Sequence, residues 1–217
     1  MPGGIGTHAT GLLGGLSVLA ADGLGADVTL YASRPPSGAG VDPLARFGWP
    51  LRTSTLPARL LTRAWEAGLV RAPSGFDVVH SASSAAPHAG RAGTRRAPVV
   101  VTVHDLAWRR FPEATTRRGR RWHEAALARA RRVAAAIVVP SRLVAADLAS
   151  DGIDAERVRV VVSGADHLPP PDPAAAGALL GRLGVPAEFV LSVGTLEPRK
   201  NLDRLVTAYA RIRRELP

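Results

Sequence analysis

Short runs of β-branched residues recur along the chain, each followed by Gly, Pro or polar punctuation and then by a stretch rich in Ala, Leu and Arg. That alternation is the signature of βαβα units, in which helices cover the faces of a parallel sheet. The strongest instance is Pro98–His104 (PVVVTVH), apolar at successive positions as a strand buried on both faces must be. Further strands are predicted at Ala26–Ala32, Phe76–Ser81, Ile137–Pro140 and Val158–Val162. Helical spacing of Leu12, Leu13, Leu16 and Leu19 predicts a helix over Thr7–Ala21. Ala58–Val70 and the Arg-rich Thr116–Ala136 read the same way. Ser141 is placed as the N-cap of a helix reaching Ala149. Ser33–Pro57 is rich in Gly and Pro, aperiodic, and reads as a long loop.

Three consecutive prolines in Pro169–Ala176 (PPPDPAAA) force an extended, stiff segment. A new strand, Phe189–Val193, and a new helix, Asn201–Glu215, follow it. The expected organisation is one α/β domain over residues 1–168, a Pro-rich linker over 169–187, and the opening β-α unit of a second domain over 188–217. The first domain is expected to lack its opening strand, because residues 1–6 already form a Gly-rich turn that feeds a helix.

Composition narrows the chemistry. The chain has no cysteine, which excludes disulfides, thiolate catalysis and Cys-based zinc sites. No apolar run reaches about 18 residues, so no bilayer span is expected. The N-terminus lacks a basic, secretory-type leader, and a cytoplasmic protein is expected. The formal net charge is +10, and Lys200 is the single lysine among 28 basic residues. Such a balance points either to an anionic partner or to solvated arginines that replace lysine throughout. The stretch Arg109–Arg132 fits a basic helix on anionic lipid, or a core-packed helix with a solvated outer face. No His/Asp/Glu cluster has metal-ligand spacing, no G-x-S-x-G elbow is present, and no nucleic-acid-reading module is visible.

Three places can carry chemistry. His104 and Asp105 follow the strand PVVVTVH, and open parallel sheets bind ligands beyond the carboxyl ends of their strands. A histidine there can bond a substrate hydroxyl or carry a proton; the alternative is a residue that caps the strand end while Asp105 bonds the loop backbone. His80 ends a strand in the same way but has no charged neighbour. Gly3, Gly4 and Gly6 open a helix, where backbone N–H groups and the helix dipole favour an anion. The loop Gly194–Asn201 (GTLEPRKN) places Arg199 and Lys200 before a helix, a position the dipole disfavours for cations. A diphosphate would account for them.

These residues resemble the retaining, GT-B-fold glycosyltransferases of family 4, in the branch that includes bacterial mannosyltransferases of surface-polysaccharide biosynthesis. The matching stretches are GGIG at 3–6, VVTVHDLAW at 100–108, IVVPS at 137–141, VRVVVSGADH at 158–167 and VLSVGTLEPRKNLDRLVTAYARI at 190–212. The resemblance implies two Rossmann-like domains facing a cleft, a nucleotide-sugar donor (GDP-mannose or a UDP-sugar), and a saccharide or lipid-linked acceptor. It implies no metal or other cofactor, no nucleic-acid partner, and peripheral contact with the anionic inner face of the plasma membrane. Residue by residue, Gly4 matches the glycine that approaches the donor phosphate and His104 the histidine near the transferred sugar. Arg199 and Lys200 match the pair that neutralises the diphosphate. Gly3, Gly6, Asp105, Thr195 and Glu197 support them. The family's usual Asn-Gly-Val-Asp stands here as Ser163-Gly164-Ala165-Asp166, and its Glu-rich donor motif does not occur before Pro217, so the chain by itself is expected to turn over little. The rival expectation is a non-catalytic basic α/β module that binds anionic lipid or polysaccharide.

Overall fold

The computed structural model describes residues 4–35, 44–87, 97–165, 168–186 and 188–215. It is an α/β structure whose strands all pair in parallel. The main sheet has four strands: β3 (Val79–Ser81), β4 (Val99–Thr102), β5 (Ala134–Val139) and β6 (Val158–Val160). They lie side by side in chain order. Parallel neighbours require a crossover between them. Between β4 and β5 it is α3 (Ala107–Arg110) and α4 (Arg117–Val133); between β5 and β6 it is α5 (Arg142–Ser150). Because all four strands run one way, their carboxyl ends share one edge.

The predicted buried strand is the centre of the core. Val99, Val101 and Val103 are at most 1% exposed, and so are Ile137 and Val139 of β5. Leu127 and Ala130 of α4, Val144 and Leu148 of α5, and Leu106 and Trp108 close over them. Caps fix where the helices start. Thr116 accepts from Gly119 N at the head of α4, and Ser141 accepts from Val144 N at the head of α5. Helix α4 ends at Val133 and β5 begins at the next residue, so the predicted strand Ile137–Pro140 starts three residues early, inside the stretch read as helix. Its alanines are neutral in pattern, and pairing with β4 decides their state.

The N-terminal part departs from expectation: the strand predicted at Ala26–Ala32 runs over Leu30–Arg34 instead. The span Ser33–Pro57, read as loop, contains a second strand. Here β1 (Leu30–Arg34) pairs in parallel with β2 (Leu51–Pro57) as a separate two-stranded sheet. The sequence LRTSTLP is mostly polar and largely exposed, so it carries no apolar run to announce a strand. Before it, α1 spans Gly4–Ala21, and after it α2 spans Ala58–Glu66. Helix α1 is, by length and composition alone, long and apolar enough to cross a membrane, contrary to the expectation that no segment reaches that size.

Beyond β6 the packing thins. Helix α6 (Pro173–Leu183) lies inside the span 169–187 read as a stiff linker. Asp172 caps it by accepting from Ala175 N at 2.9 Å, Pro173 suits its first turn, and Gly184 ends it at φ 63°. Phe189–Val193 is not a strand: no neighbour hydrogen-bonds to it among the described residues, and Val193 is 86% exposed. An extended segment becomes a strand only when a partner satisfies its backbone groups. Helix α7 (Leu202–Glu215) starts one residue later than predicted and leaves Leu205, Val206, Tyr209 and Ile212 exposed.

Candidate functional site

The chain leaves the sheet at Val103, whose N–H still bonds Val138 O, and His104 is the next residue. Its Nε2 lies 2.9 Å from Ala82 O. A carbonyl only accepts, so Nε2 carries the proton and donates. In the neutral ring Nδ1 is then a bare acceptor, with no protein partner among the described residues. The Ala82 carbonyl belongs to the turn after β3. Ser81 Oγ pins that turn by donating to Ser83 O at 2.9 Å and to Ala85 O at 3.1 Å.

Two more histidines gather at this edge. His80 shares a 2.8 Å hydrogen bond, through Nε2, with the hydroxyl of Thr102, a polar residue only 1% exposed. His8, in the second turn of α1, meets His104 edge to face with ring centroids 4.8 Å apart. Its Nε2 is buried without a hydrogen-bond partner among the described residues. Burial holds both His8 and His80 below the usual imidazole range. Charge on His104 lowers His8 further, and charge on His8 does the same to His80. His8 escaped sequence reading because a histidine one turn after Gly4, inside an apolar helix, has no signal until α1 is laid over the strand ends.

Asp105 accepts from Ala107 N at 3.0 Å and so starts α3. That is the loop-backbone role weighed for it above, and no hydrogen bond is made by its other oxygen among the described residues. Behind it, Glu124 of α4 accepts from Trp108 Nε1 and from Arg109 Nε, each at 2.7 Å. Arg109 also pairs with Asp151, and its guanidinium is held above its ordinary range by the Glu124 hydrogen bond first. His123 stacks on Trp108 at 4.5 Å and lies within electrostatic range of Asp105.

The cationic loop lies on the same side of the molecule. Residues Pro198–Lys200 form one 3-10 turn that ends at Asn201 with φ 51°, a left-handed position asparagine tolerates. Thr195 Oγ1 donates to Glu197 at 2.6 Å, and Arg199 pairs with Glu197 at 2.8 Å. The Glu197 bond, and more weakly the Asp105 charge, raise the Arg199 guanidinium. Arg199 and the His104–Asp105 step are therefore electrostatic neighbours. Lys200 has no carboxylate partner among the described residues, and its stem crosses Gly194, where an added Cβ would meet Cε at 3.8 Å. Sequence reasoning treated the two cations alike. The fold makes Arg199 half of an internal pair and leaves Lys200 available.

Gly4 and Gly6 fall in the first turn of α1. A Cβ on Gly4 would meet nothing within 4 Å, so packing alone does not demand glycine there, while Gly6 is buried. Gly3 lies outside the described residues, as does Asp166. Among the described residues no three His, Asp or Glu side chains converge as a metal ion would need.

The sequence profile of the family described as Glycosyltransferase Family 4 matches residues 2–167. Among curated proteins none matches the chain. Solved structures of Anabaena Alr3699/HepE are similar to it. The complex with UDP and glucose shares 18% identity at TM-score 0.49, covering 85% of this chain and 48% of that one. The UDP-glucose complex gives 17% and 0.44, over 74% and 51%. The UDP complex gives 16% and 0.41, over 72% and 50%. The chain thus spans about half the length of these structures.

Proposed function

The chain belongs to glycosyltransferase family 4, and from that premise we propose that it serves transfer of a sugar from a nucleotide-sugar donor to a saccharide or lipid-linked acceptor, with retention of configuration. The observation that carries this reading is the family match over residues 2–167 together with His104 at the carboxyl ends of the parallel strands, its ring fixed on Ala82 O. A departing nucleoside diphosphate gains negative charge in the transition state, and a fixed cation stabilises that charge most where water is excluded. Lys200 makes no ion pair among the described residues, although the Glu197 carboxylate feels its charge. Arg199, paired with the Glu197 carboxylate that also accepts from Thr195, shapes the turn and adds positive potential. The N-terminal turn of α1, through Gly4 and Gly6, offers backbone N–H groups to a donor phosphate.

His104 supplies the sugar end of the site. With Nε2–H committed to Ala82 O, its Nδ1 lone pair accepts a hydrogen bond from a hydroxyl of the transferred sugar. The donor is GDP-mannose or a UDP-sugar, and no metal is needed where Lys200 and Arg199 carry the charge. The same reading places the reaction in the cytoplasm, at the inner face of the plasma membrane when the acceptor is a lipid.

The test is donor-dependent transfer. The protein is incubated with GDP-mannose and a panel of UDP-sugars, and nucleotide release and the anomer of the product are followed by NMR. Release with one donor, an α-linked product from an α-linked donor, and at least tenfold loss in His104→Ala and in Lys200→Ala are expected. Binding of anionic polysaccharide with no donor consumed would instead favour a non-catalytic module.

A further inference from the structure

His104 stands just past the paired ends of β3 and β4, and two successive cross-strand bonds tie those ends together. His80 Nε2 shares a 2.8 Å hydrogen bond with Thr102 Oγ1, and one step further on His104 Nε2 donates to Ala82 O at 2.9 Å. These bonds fix the His104 backbone and one atom of its ring. One freedom is left: the ring can turn about the axis from Cβ to Nε2, and that turn decides where Nδ1 points. We propose that His8 is the positioning residue that removes this freedom, holding the His104 ring and the first turn of α1 at one separation.

The contact is direct. The two rings meet at 85° with their centroids 4.8 Å apart. Edge-to-face contact is a favoured packing of aromatic rings, because a positive edge lies against a negative face. Turning His104 about its remaining axis breaks that geometry or drives one ring into the other, and close-packed groups have no spare room for it. His8 has no competing bond to satisfy. Neither of its nitrogens makes a hydrogen bond among the described residues, and Nε2 is buried. Burial also holds its imidazole below the usual range, so near neutral pH the ring is uncharged and does not repel His104.

The place of His8 in the chain gives the contact its use. It lies four residues after Gly4 on α1, on the same face and roughly 6 Å along the axis. In the glycosyl-transfer reading, on which this role rests, the first turn of α1 faces the donor phosphate and His104 Nδ1 takes a hydroxyl of the transferred sugar. One glycosidic bond joins that sugar to that phosphate, so the two groups arrive at a fixed spacing. A single helical turn is stiff, and the ring contact carries its spacing across to His104. Any apolar side chain of similar size would fill the space; alignment requires the aromatic ring.

The experiment is long-range proton–nitrogen-15 NMR of the imidazoles near neutral pH, without donor, on the parent chain and on His8→Leu, His8→Ala and His8→Phe. The His104 signals are identified by their loss in His104→Gln. In the parent, a cross-relaxation peak between the His8 and His104 ring protons is expected, with His104 as one Nε2–H tautomer. In His8→Leu, which fills the space without a ring, the His104 Nε2–H should exchange with water at least about tenfold faster, in a protein whose backbone spectrum stays folded. His8→Phe should recover most of the protection. A smaller change in His8→Leu, an equal one in His8→Phe, or no ring-to-ring peak in the parent overturns the assignment. Should His8→Leu not fold, His8→Ala against His8→Phe makes the same comparison, and the parent's ring-to-ring peak decides without either. With donor and acceptor supplied, His8→Leu should lower kcat about tenfold while UDP, which lacks the sugar, binds within about twofold of the parent. An unchanged kcat also overturns the role. If the parent transfers no sugar, the glycosyl-transfer reading fails by itself, and the NMR comparison still decides whether His8 sets the His104 ring.

Discussion

His104 has one nitrogen committed to Ala82 O and one left over, and that division is a checkable statement about a single proton. Nitrogen-15 NMR of the imidazoles should find the Nε2–H tautomer at His104 near neutral pH; an Nδ1–H tautomer would remove the acceptor role assigned here. The neighbouring rings make stability depend on pH. His8 and His80 bind a proton less readily folded than unfolded, chiefly because they are buried. Between the folded value and the ordinary one near ~6.5 the unfolded chain holds more protons, so stability rises with pH in that window. The melting temperature should be at its plateau above about pH 6.5 and fall as the solution is acidified through that value. His8→Phe, which keeps a ring against His104 but removes a titrating group, should make the fall shallower. An unchanged slope would detach His8 from the edge. At this scale the sequence exposed His104 and Asp105, because position after a buried strand is a linear property. It hid His8, whose role exists only once a helix and a strand end meet.

Helix α4 ties the site to the core. One face buries Ala126, Leu127 and Ala130; the other offers Glu124 to Trp108 and Arg109. Glu124→Ala strands the indole N–H of a residue 4% exposed, and a buried donor without an acceptor costs about 1–3 kcal/mol. Asp147→Ala loses only its exposed pair with Arg110 and should cost no more than about 1 kcal/mol. Urea unfolding of the two variants should show that order, and equal losses would contradict it. Ile137→Ala, at 0% exposure on β5, should cost about 2–5 kcal/mol in the same assay. The parallel strands and their helices were legible because burial on both faces leaves a continuous apolar run. Strand β2 was not, since a polar strand is identified by its partner. Phe189–Val193 fails in the opposite sense: it has the apolar run of a strand and, among the described residues, no neighbour to pair with.

At the scale of the whole molecule, positive charge predominates, with a formal net charge of +10. Arginines in the last turn of α4 lie at the negative end of its dipole, where cations are favoured. Arginines along its first turns and on α2 make no ion pair among the described residues, and neither does Lys200, which follows the Arg199–Glu197 pair. The Asp105 charge, after the Glu197 bond, helps to raise the Arg199 guanidinium. Such a distribution raises the local concentration of phosphorylated ligands and speeds their capture at low salt. Pyrophosphate or nucleotide binding should accordingly weaken as salt rises past about 0.15 M, where screening shortens to about 8 Å. The account depends most on Lys200 as the cation for a departing diphosphate. Calorimetric titration of UDP and GDP into the parent chain and into Lys200→Ala tests it directly. The account predicts at least a tenfold weaker dissociation constant in the variant; indistinguishable affinities in the two proteins would contradict it.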